Sequence, residues 1–230
     1  MATQDGDFTA GDFRDLGVFE AQGLECVRGD RPIFAGLDLH LAPGEAVLLT
    51  GPNGSGKSSL LRLLAGLLAP AAGTLSWDGV AIDAGSETHR ARLHYLGHLD
   101  AVKPVMSVAE NLHFWAQLRG TGEAETRAAL SRFALEHLAD VAGRLLSAGQ
   151  RRRLSLARIV ATPAPLWLLD EPTVGLDAES VEILASLMAA HRAAGGRIAV
   201  ATHQKLDLPG AAELSVDDYP PALPALEDAW

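Results

Sequence analysis

The segment from residue 51 to 59, GPNGSGKSS, constrains the fold of this chain more than any other stretch. It matches the pattern G-x-x-x-x-G-K-[ST], follows the apolar run AVLLT and leads into the amphipathic run SSLLRLLAGLL. Such a loop between a strand and a helix is typical of phosphate binding. The sequence therefore predicts an α/β core that binds a nucleoside triphosphate. An ordinary glycine-rich turn is the alternative, and the match at every fixed position argues against it.

Each residue type in this loop has a use in phosphate binding. The glycines let backbone N–H groups wrap the phosphates, Lys57 can reach the terminal phosphates, and the Ser58 hydroxyl can bind Mg²⁺. The loop residues that we predict to bind nucleotide are Gly51, Pro52, Asn53, Gly54, Ser55, Gly56, Lys57, Ser58 and Ser59.

Two acidic residues end another apolar run, PLWLLDEP. At the carboxyl end of a buried parallel strand, Asp170 would lie beside the phosphate-binding loop and hold Mg²⁺ through water. Glu171 would polarise the attacking water as a general base. Taken alone, the pair could instead be a helix cap or a solvated strand end. The chain has no N-K-x-D motif to bind guanine, so we expect adenine as the base.

The charge of the chain argues against nucleic acid as a partner. Its 230 residues carry 19 Lys and Arg against 29 Asp and Glu, a net charge of −10, whereas phosphate backbones favour clustered cations. The first residues lack the basic and then apolar pattern of a secretory signal, and no apolar run reaches the ~20 residues of a membrane span. We therefore expect a cytoplasmic protein that meets a membrane only through partners.

The spacing of apolar residues divides the chain into three parts. Residues 1–20 are polar and rich in Asp and Gly, and we expect a mobile lead-in. Residues 21–205 form the predicted nucleotide-binding domain, with short strands first, a helical insertion at about 104–163, and then two buried strands around a helix. Residues 206–230 are a proline-containing C-terminal segment of uncertain structure. The predicted fold class is α/β, with a mostly parallel sheet, a small antiparallel β subdomain and the helical insertion.

Local signals predict three helices in more detail. Ser107 and Glu110 have the spacing of a capping box, and Asp177 is placed to cap a later helix. The run after the phosphate-binding loop places five leucines on one helix face: Leu60, Leu61, Leu64, Leu67 and Leu68.

Another predicted anion site lies far along the chain, in LLSAGQRRRLSLAR. Ser147 can cap the helix that follows, and its hydroxyl, the free N–H groups and the helix dipole make an anion site worth ~1 kcal/mol or more. In isolation, a plain helix cap explains the serine equally well. We expect the arginines at 151–153 to form mostly a solvated face.

Four motifs in this order, GPNGSGKSS, LSAGQRRRLSLAR, LLDEPTVGLD and ATHQ, resemble those of the ATP-binding subunits of ABC transporters over residues 22–205. The resemblance implies the ABC ATPase fold, built on a P-loop NTPase core, with ATP and Mg²⁺ bound. It also implies a homodimer that encloses two ATP molecules.

The same resemblance implies roles for individual residues. Ser147, Gly149 and Gln150 would contact the ATP held by the opposite subunit, with Ala148 where many members have glycine. Residues 175–177, which include Asp177, would form a loop that crosses the dimer interface. His203 would reach the γ-phosphate as a second catalytic residue beside Glu171.

Two positions depart from the family pattern. Where an aromatic residue stacks on adenine, this chain has Arg28, whose guanidinium could stack on a base or belong to a surface turn. Where a glutamine is expected, it has His98, which could bind water or Mg²⁺ only as neutral imidazole.

These departures, with the segments YLGHLDAVKP and SVAENLHFW, resemble the ATP-binding subunits of cytochrome c maturation transporters, also called haem exporters. The resemblance implies integral membrane subunits as partners, an indirect link to a haem chaperone, and a peripheral position on the cytoplasmic face of the bacterial inner membrane. Composition and spacing give no sign of haem. The alternatives are another ABC transporter with a different substrate and a soluble P-loop nucleotide enzyme.

Overall fold

The computed structural model describes residues 11–204 and 206–221. The first of its two sheets is antiparallel, with strand order β2-β1-β4-β5. Its strands are β1 (Phe19–Arg28), β2 (Arg31–Leu41), β4 (Ala72–Trp77) and β5 (Val80–Ile82). Alternate residues of β1 point into the core, and a register shift after Ala21 restores that alternation at Leu24.

The second sheet is wholly parallel, with strand order β6-β7-β8-β3-β9. Its strands are β3 (Ala46–Thr50), β6 (Leu93–Leu96), β7 (Leu166–Asp170), β8 (Arg197–Ala201) and β9 (Ala212–Ser215). Every residue of β7 and β8 is buried, as expected for parallel strands covered on both faces. The predicted α/β class, with a parallel sheet and a separate antiparallel sheet, is confirmed.

The parallel sheet separates two hydrophobic cores. Leu166 and Leu168 pack with the antiparallel sheet and α1 (Lys57–Leu64), whereas Trp167 and Leu169 pack with the remaining long helices. Those helices are α3 (Val108–Leu118), α4 (Glu123–Arg132), α5 (Ala148–Ala161) and α6 (Ala178–Ala193), and a short α2 (Glu87–Ala91) precedes β6. None of the helices in the described residues is both long enough and apolar enough to span a membrane.

The predicted helix caps are present. Glu110 N donates to Ser107 Oγ at 3.1 Å and Ser107 N donates to Glu110 Oε2 at 2.7 Å, which completes the capping box of α3. Asp177 Oδ1 accepts from Ser180 N at 2.9 Å at the start of α6.

The helix after the phosphate-binding loop is shorter than the leucine spacing predicts. It ends at Leu64, and Leu67 is 57% exposed. Gly66 has φ +67°, and a Cβ there would lie 1.7 Å from Ala84 O. The chain therefore turns at a glycine packed against backbone, and the leucine pattern runs on beyond the helix.

Both ends of the described chain pack against the nucleotide-binding domain. In the described part of the predicted lead-in, residues 11–20, Phe13 N donates to Ala194 O at 2.8 Å, and Arg197 donates to Phe13 O at 3.2 Å and to Gly17 O at 2.5 Å. A fully buried guanidinium needs acceptors, and this segment supplies them. The C-terminal segment of uncertain structure contributes β9; residues 1–10, 205 and 222–230 lie outside the described residues.

Candidate functional site

Three neighbouring parallel strands, β3, β7 and β8, have their carboxyl ends on the same side of the sheet. The phosphate-binding loop, the acidic pair and His203 follow these ends. A cleft of about 270 Å³ opens there, lined by Ile33, Asn53, Gly54, Gly56, Lys57, Ser58, Ser59, Asp170 and Glu171. Parallel strands bring their carboxyl ends together, which is why motifs over a hundred residues apart share one cleft.

The backbone of the loop depends on glycine. Gly56 has φ +111°, and a Cβ there would lie 2.7 Å from Ile33 Cγ2. The turn at Gly56 starts α1 without any side-chain cap, in contrast to α3, α5 and α6, which are capped by Ser107, Ser147 and Asp177. The first N–H groups of α1 are therefore free to bind anionic oxygens.

Two polar side chains inside the loop also fit a phosphate chain. Lys57 is only 9% exposed, and its Nζ donates to Gly51 O at 2.6 Å and to Pro52 O at 2.8 Å. The buried Ser55 Oγ has no hydrogen-bond partner in the part of the chain that the structure describes. An ammonium held across the loop and an unpaired hydroxyl are groups that a triphosphate would satisfy.

The acidic pair divides between a buried and an accessible carboxylate. Asp170 is 4% exposed at the end of β7. Glu171 has φ +49°, which is rare for a residue with a side chain, and its N donates to Ala201 O at 2.8 Å. Its Oε1 lies 2.9 Å from His203 Nδ1. The structure thus brings both predicted catalytic residues into contact.

The LSAGQ segment (residues 146–150) starts α5 with a reciprocal cap. Gln150 N donates to Ser147 Oγ at 3.2 Å, and Ser147 N donates to Gln150 Oε1 at 2.8 Å. A Cβ at Gly149 would lie 3.1 Å from Gly175 O, so this segment adjoins the loop that leads to Asp177. Hydrogen bonds from Ser180 hold the pKa of Asp177 below its usual value. In the described chain, Ser147, Gly149, Gln150 and Asp177 do not line the cleft that holds Lys57.

Two further predicted site residues lie away from the cleft wall. Arg28 is exposed at the end of β1, where it pairs with Arg31, and the neighbouring strand presents Ile33 to the cleft instead. Sequence reasoning missed Ile33 because a single half-buried apolar residue in a hairpin carries no motif. His98 is exposed in the turn after β6 and is not among the lining residues.

The expectation of a solvated face at 151–153 is wrong. Arg152 is 5% exposed and donates to five acceptors in two loops. Arg151 and Arg153 donate to the carbonyls of Leu146 and Phe133. A run of three arginines shows no helical periodicity, so the sequence contained no signal that the middle one is buried.

The family model for ABC transporters matches residues 34–174. A cytochrome c biogenesis ATP-binding export protein CcmA from Rhodospirillum rubrum is 59% identical over 204 residues, covering 89% of this chain and 88% of the relative. The protein of the same description from Paramagnetospirillum magneticum is 56% identical over 207 residues, covering 88% and 95%.

Solved structures support the same fold. One described as an ATP binding subunit of an ABC transporter matches with a TM-score of 0.74 and 27% identity, covering 81% of this chain and 79% of that chain. A putative ABC transporter ATP-binding protein from Pyrococcus furiosus matches with a TM-score of 0.75 and 25% identity, covering 89% and 100%. The fold predicted from the four motifs is confirmed.

Proposed function

Because the chain belongs to the ABC transporter family, as one of its ATP-binding and ATP-hydrolysing subunits, we propose that it powers a transporter for cytochrome c biogenesis. The observation that supports this activity best is the single cleft in which Lys57, Ser58, Asp170 and Glu171 converge. We place ATP in this cleft, with its phosphates on the free N–H groups of α1.

The residues of the cleft divide the work of hydrolysis. Lys57 leaves its two carbonyl partners and binds the terminal phosphates, where its charge balances the charge that develops during transfer. Glu171 orients a water and accepts its proton, and His203 fixes the direction of that carboxylate through the contact at 2.9 Å. Mg²⁺, held by Ser58 and Asp170, would supply charge neutralisation between the phosphates. His98, in the turn after β6, is the third residue that could hold Mg²⁺, through a bound water.

A second subunit completes the site in this proposal. The LSAGQ segment presents the N-terminus of a 14-residue helix, yet its residues do not line their own subunit's cleft in the described chain. In a homodimer, Ser147, Gly149 and Gln150 bind the γ-phosphate held by the partner, and the loop ending at Asp177 crosses the interface. ATP then closes the dimer and hydrolysis reopens it.

The membrane partners dock, we propose, on the segment from residue 99 to 112. Leu99 is 83% exposed and Val105 is 79% exposed, which leaves apolar surface for another chain to cover. The partners are integral subunits of the bacterial inner membrane, reached from its cytoplasmic face, and ATP hydrolysis drives haem export or the release of a haem chaperone. Affinity purification from membranes should recover these integral subunits; recovery of the chain without them would favour a soluble P-loop enzyme.

Glu171→Gln tests the catalytic assignment. The amide keeps the shape of the side chain but cannot accept the proton, so turnover should fall by about 10²- to 10⁴-fold while ATP binding persists. ATP should then accumulate a dimer, measured by light scattering beside the ATPase rate. Glu179→Gln, the same change at an exposed residue in the first turn of α6, is the matched control and should behave like the parent. Parental turnover in Glu171→Gln would show that the base lies elsewhere.

A further inference from the structure

The free edge of the parallel sheet is covered by three arginines. Among the described residues, strand β6 pairs only with β7, so the carbonyls of alternate residues at its other edge have no strand partner there. Arg119 Nη2 donates to Leu93 O at 2.7 Å, Arg158 Nη2 to Tyr95 O at 2.8 Å, and Arg152 Nη1 to Gly97 O at 3.0 Å. We call Arg119, Arg158 and Arg152 the edge arginines.

Arg152 differs from the other two because it also reaches the catalytic turn. Its Nη2 donates to Glu171 O at 2.6 Å and to Asp170 O at 3.0 Å, and its Nε donates to Pro172 O at 3.4 Å. On the β6 side, Nη1 lies 3.2 Å from Asp100 Oδ1. One buried guanidinium therefore joins α5 to the turn after β6 and to the turn after β7.

Arg152 contacts Glu171 at a backbone conformation that is unfavourable for a residue with a side chain. A side-chain-bearing residue at φ +49° costs on the order of 1–3 kcal/mol and persists only where its surroundings hold it. At Glu171 those surroundings include the bond from its N to Ala201 O and two bonds to its carbonyl, a short one from Arg152 and a longer one from Val174 N at 3.3 Å. Rotation of this peptide unit would swing the carboxylate away from His203.

The start of α5 is bonded to both turns through its first residues. Arg152 lies five residues after Ser147, the N-cap of α5, and Ser155, about one turn further on, donates to Asp100 O. A shift of α5 therefore pulls on both turns through bonded, buried groups.

We propose that Arg152 is a positioning residue that transmits the position of the LSAGQ segment to Glu171 and to the turn that carries His98. The proposal rests on the proposed function, since it takes Glu171 as the base. Contact of the LSAGQ segment with a nucleotide on the partner subunit then sets the catalytic geometry within its own subunit. The planar fork of arginine is required, because lysine cannot span Gly97 O and Glu171 O together.

The test compares Arg152→Lys with Arg119→Lys. Arg119 is the matched control because it also donates to three carbonyls, those of Arg90, Ala91 and Leu93, without touching the catalytic turn. For each purified variant we would measure the melting temperature, the Kd of a fluorescent ATP analogue, kcat and KM. We expect both variants to lose thermal stability, and only Arg152→Lys to lose kcat, by at least tenfold with Kd within about twofold; tenfold corresponds to ~1.4 kcal/mol in the barrier.

A double variant separates this proposal from the assignment of the base. If Arg152 acts through Glu171, adding Arg152→Lys to Glu171→Gln should lower the residual rate by less than twofold, because residues acting as a unit are not additive. Parental kcat in Arg152→Lys, equal loss of kcat in Arg119→Lys, or a full tenfold further loss in the double variant would each overturn the proposal. Parental turnover in Glu171→Gln alone would refute the proposed base instead.

Discussion

A buried histidine in the last turn of α6 should make the folded state less stable at acidic pH. His191 is 1% exposed, its ring stacks on Trp167 with centroids 3.9 Å apart, and its Nε2 has no hydrogen-bond partner among residues 11–204 and 206–221. Burial lowers the pKa of His191 from 6.5 to about 3. The native state therefore holds this ring neutral at pH values where the unfolded chain protonates it.

The sign and size of the effect follow from linkage. Because the folded pKa of His191 is depressed, its contribution to stability is complete above about pH 6.5 and is lost as the pH falls toward 3. At 1.36 kcal/mol per unit, the free energy of unfolding should fall by ~2 kcal/mol between pH 7 and pH 5 from this residue alone. Because pH 5 lies above the folded pKa of His191, the folded state keeps this ring neutral over the whole interval. Burial also lowers the pKa values of His89 and His94, so the whole chain should lose more.

The assay is urea unfolding at pH 7 and pH 5 for the parent and for His191→Phe. Phenylalanine keeps an aromatic ring against Trp167 but does not titrate, so the fall in the free energy of unfolding should shrink by ~2 kcal/mol. The ring lies against Gly196, where space is tight, so the difference between the two pH values is compared and not the absolute stability. His137→Phe, at an exposed histidine, should leave the parental pH dependence intact. An unchanged fall in His191→Phe would refute the reasoning.

Two further predictions concern the proposed nucleotide contacts. Ser147→Arg should leave ATP binding to the isolated subunit intact but prevent ATP-dependent dimerisation, measured by fluorescent ATP titration and light scattering; weak ATP binding would place the LSAGQ segment in its own cleft. His98→Gln should keep most of the ATPase activity while His98→Ala loses it, measured as kcat against Mg²⁺ concentration, because an amide oxygen can accept the same hydrogen bond from water as a neutral imidazole nitrogen. Equal kcat in both His98 variants would remove this residue from the site.

The parts of the site that the sequence predicts are those in which one residue type has one chemical use. The phosphate-binding loop, the acidic pair and the two caps each combine a local pattern with a backbone requirement, so a few consecutive residues suffice. Asp170 ends a parallel strand, and parallel strands point their carboxyl ends in one direction. Asp170 therefore lies near Ser58, which follows the carboxyl end of β3.

The parts that the sequence does not predict depend on contacts between distant segments. Arg152 looks like its exposed neighbours in the sequence, and only the carbonyls of two turns make its burial favourable. The segment around Phe13 is polar by composition, and it packs on the domain because Arg197 and the ring of His191 supply partners nearly two hundred residues away. Ile33 lines the cleft for the same reason, through the packing of a hairpin against the glycine turn at Gly56.

The edge arginines show how a requirement of the fold becomes a property of the site. An exposed edge of parallel sheet would leave carbonyls open to pairing with other chains, and arginine both satisfies them and carries a charge that discourages such pairing. Burying these cations is costly: desolvation, with Arg119 nearby, lowers the pKa of Arg158 to about 10. Within the described chain, Arg152 is the one edge arginine with a carboxylate partner, Asp100, to offset that cost. Arg152, the edge arginine with a carboxylate partner, is thus also the one that donates to Glu171 O. The same guanidinium that satisfies a carbonyl at the free edge of β6 therefore also holds the catalytic turn.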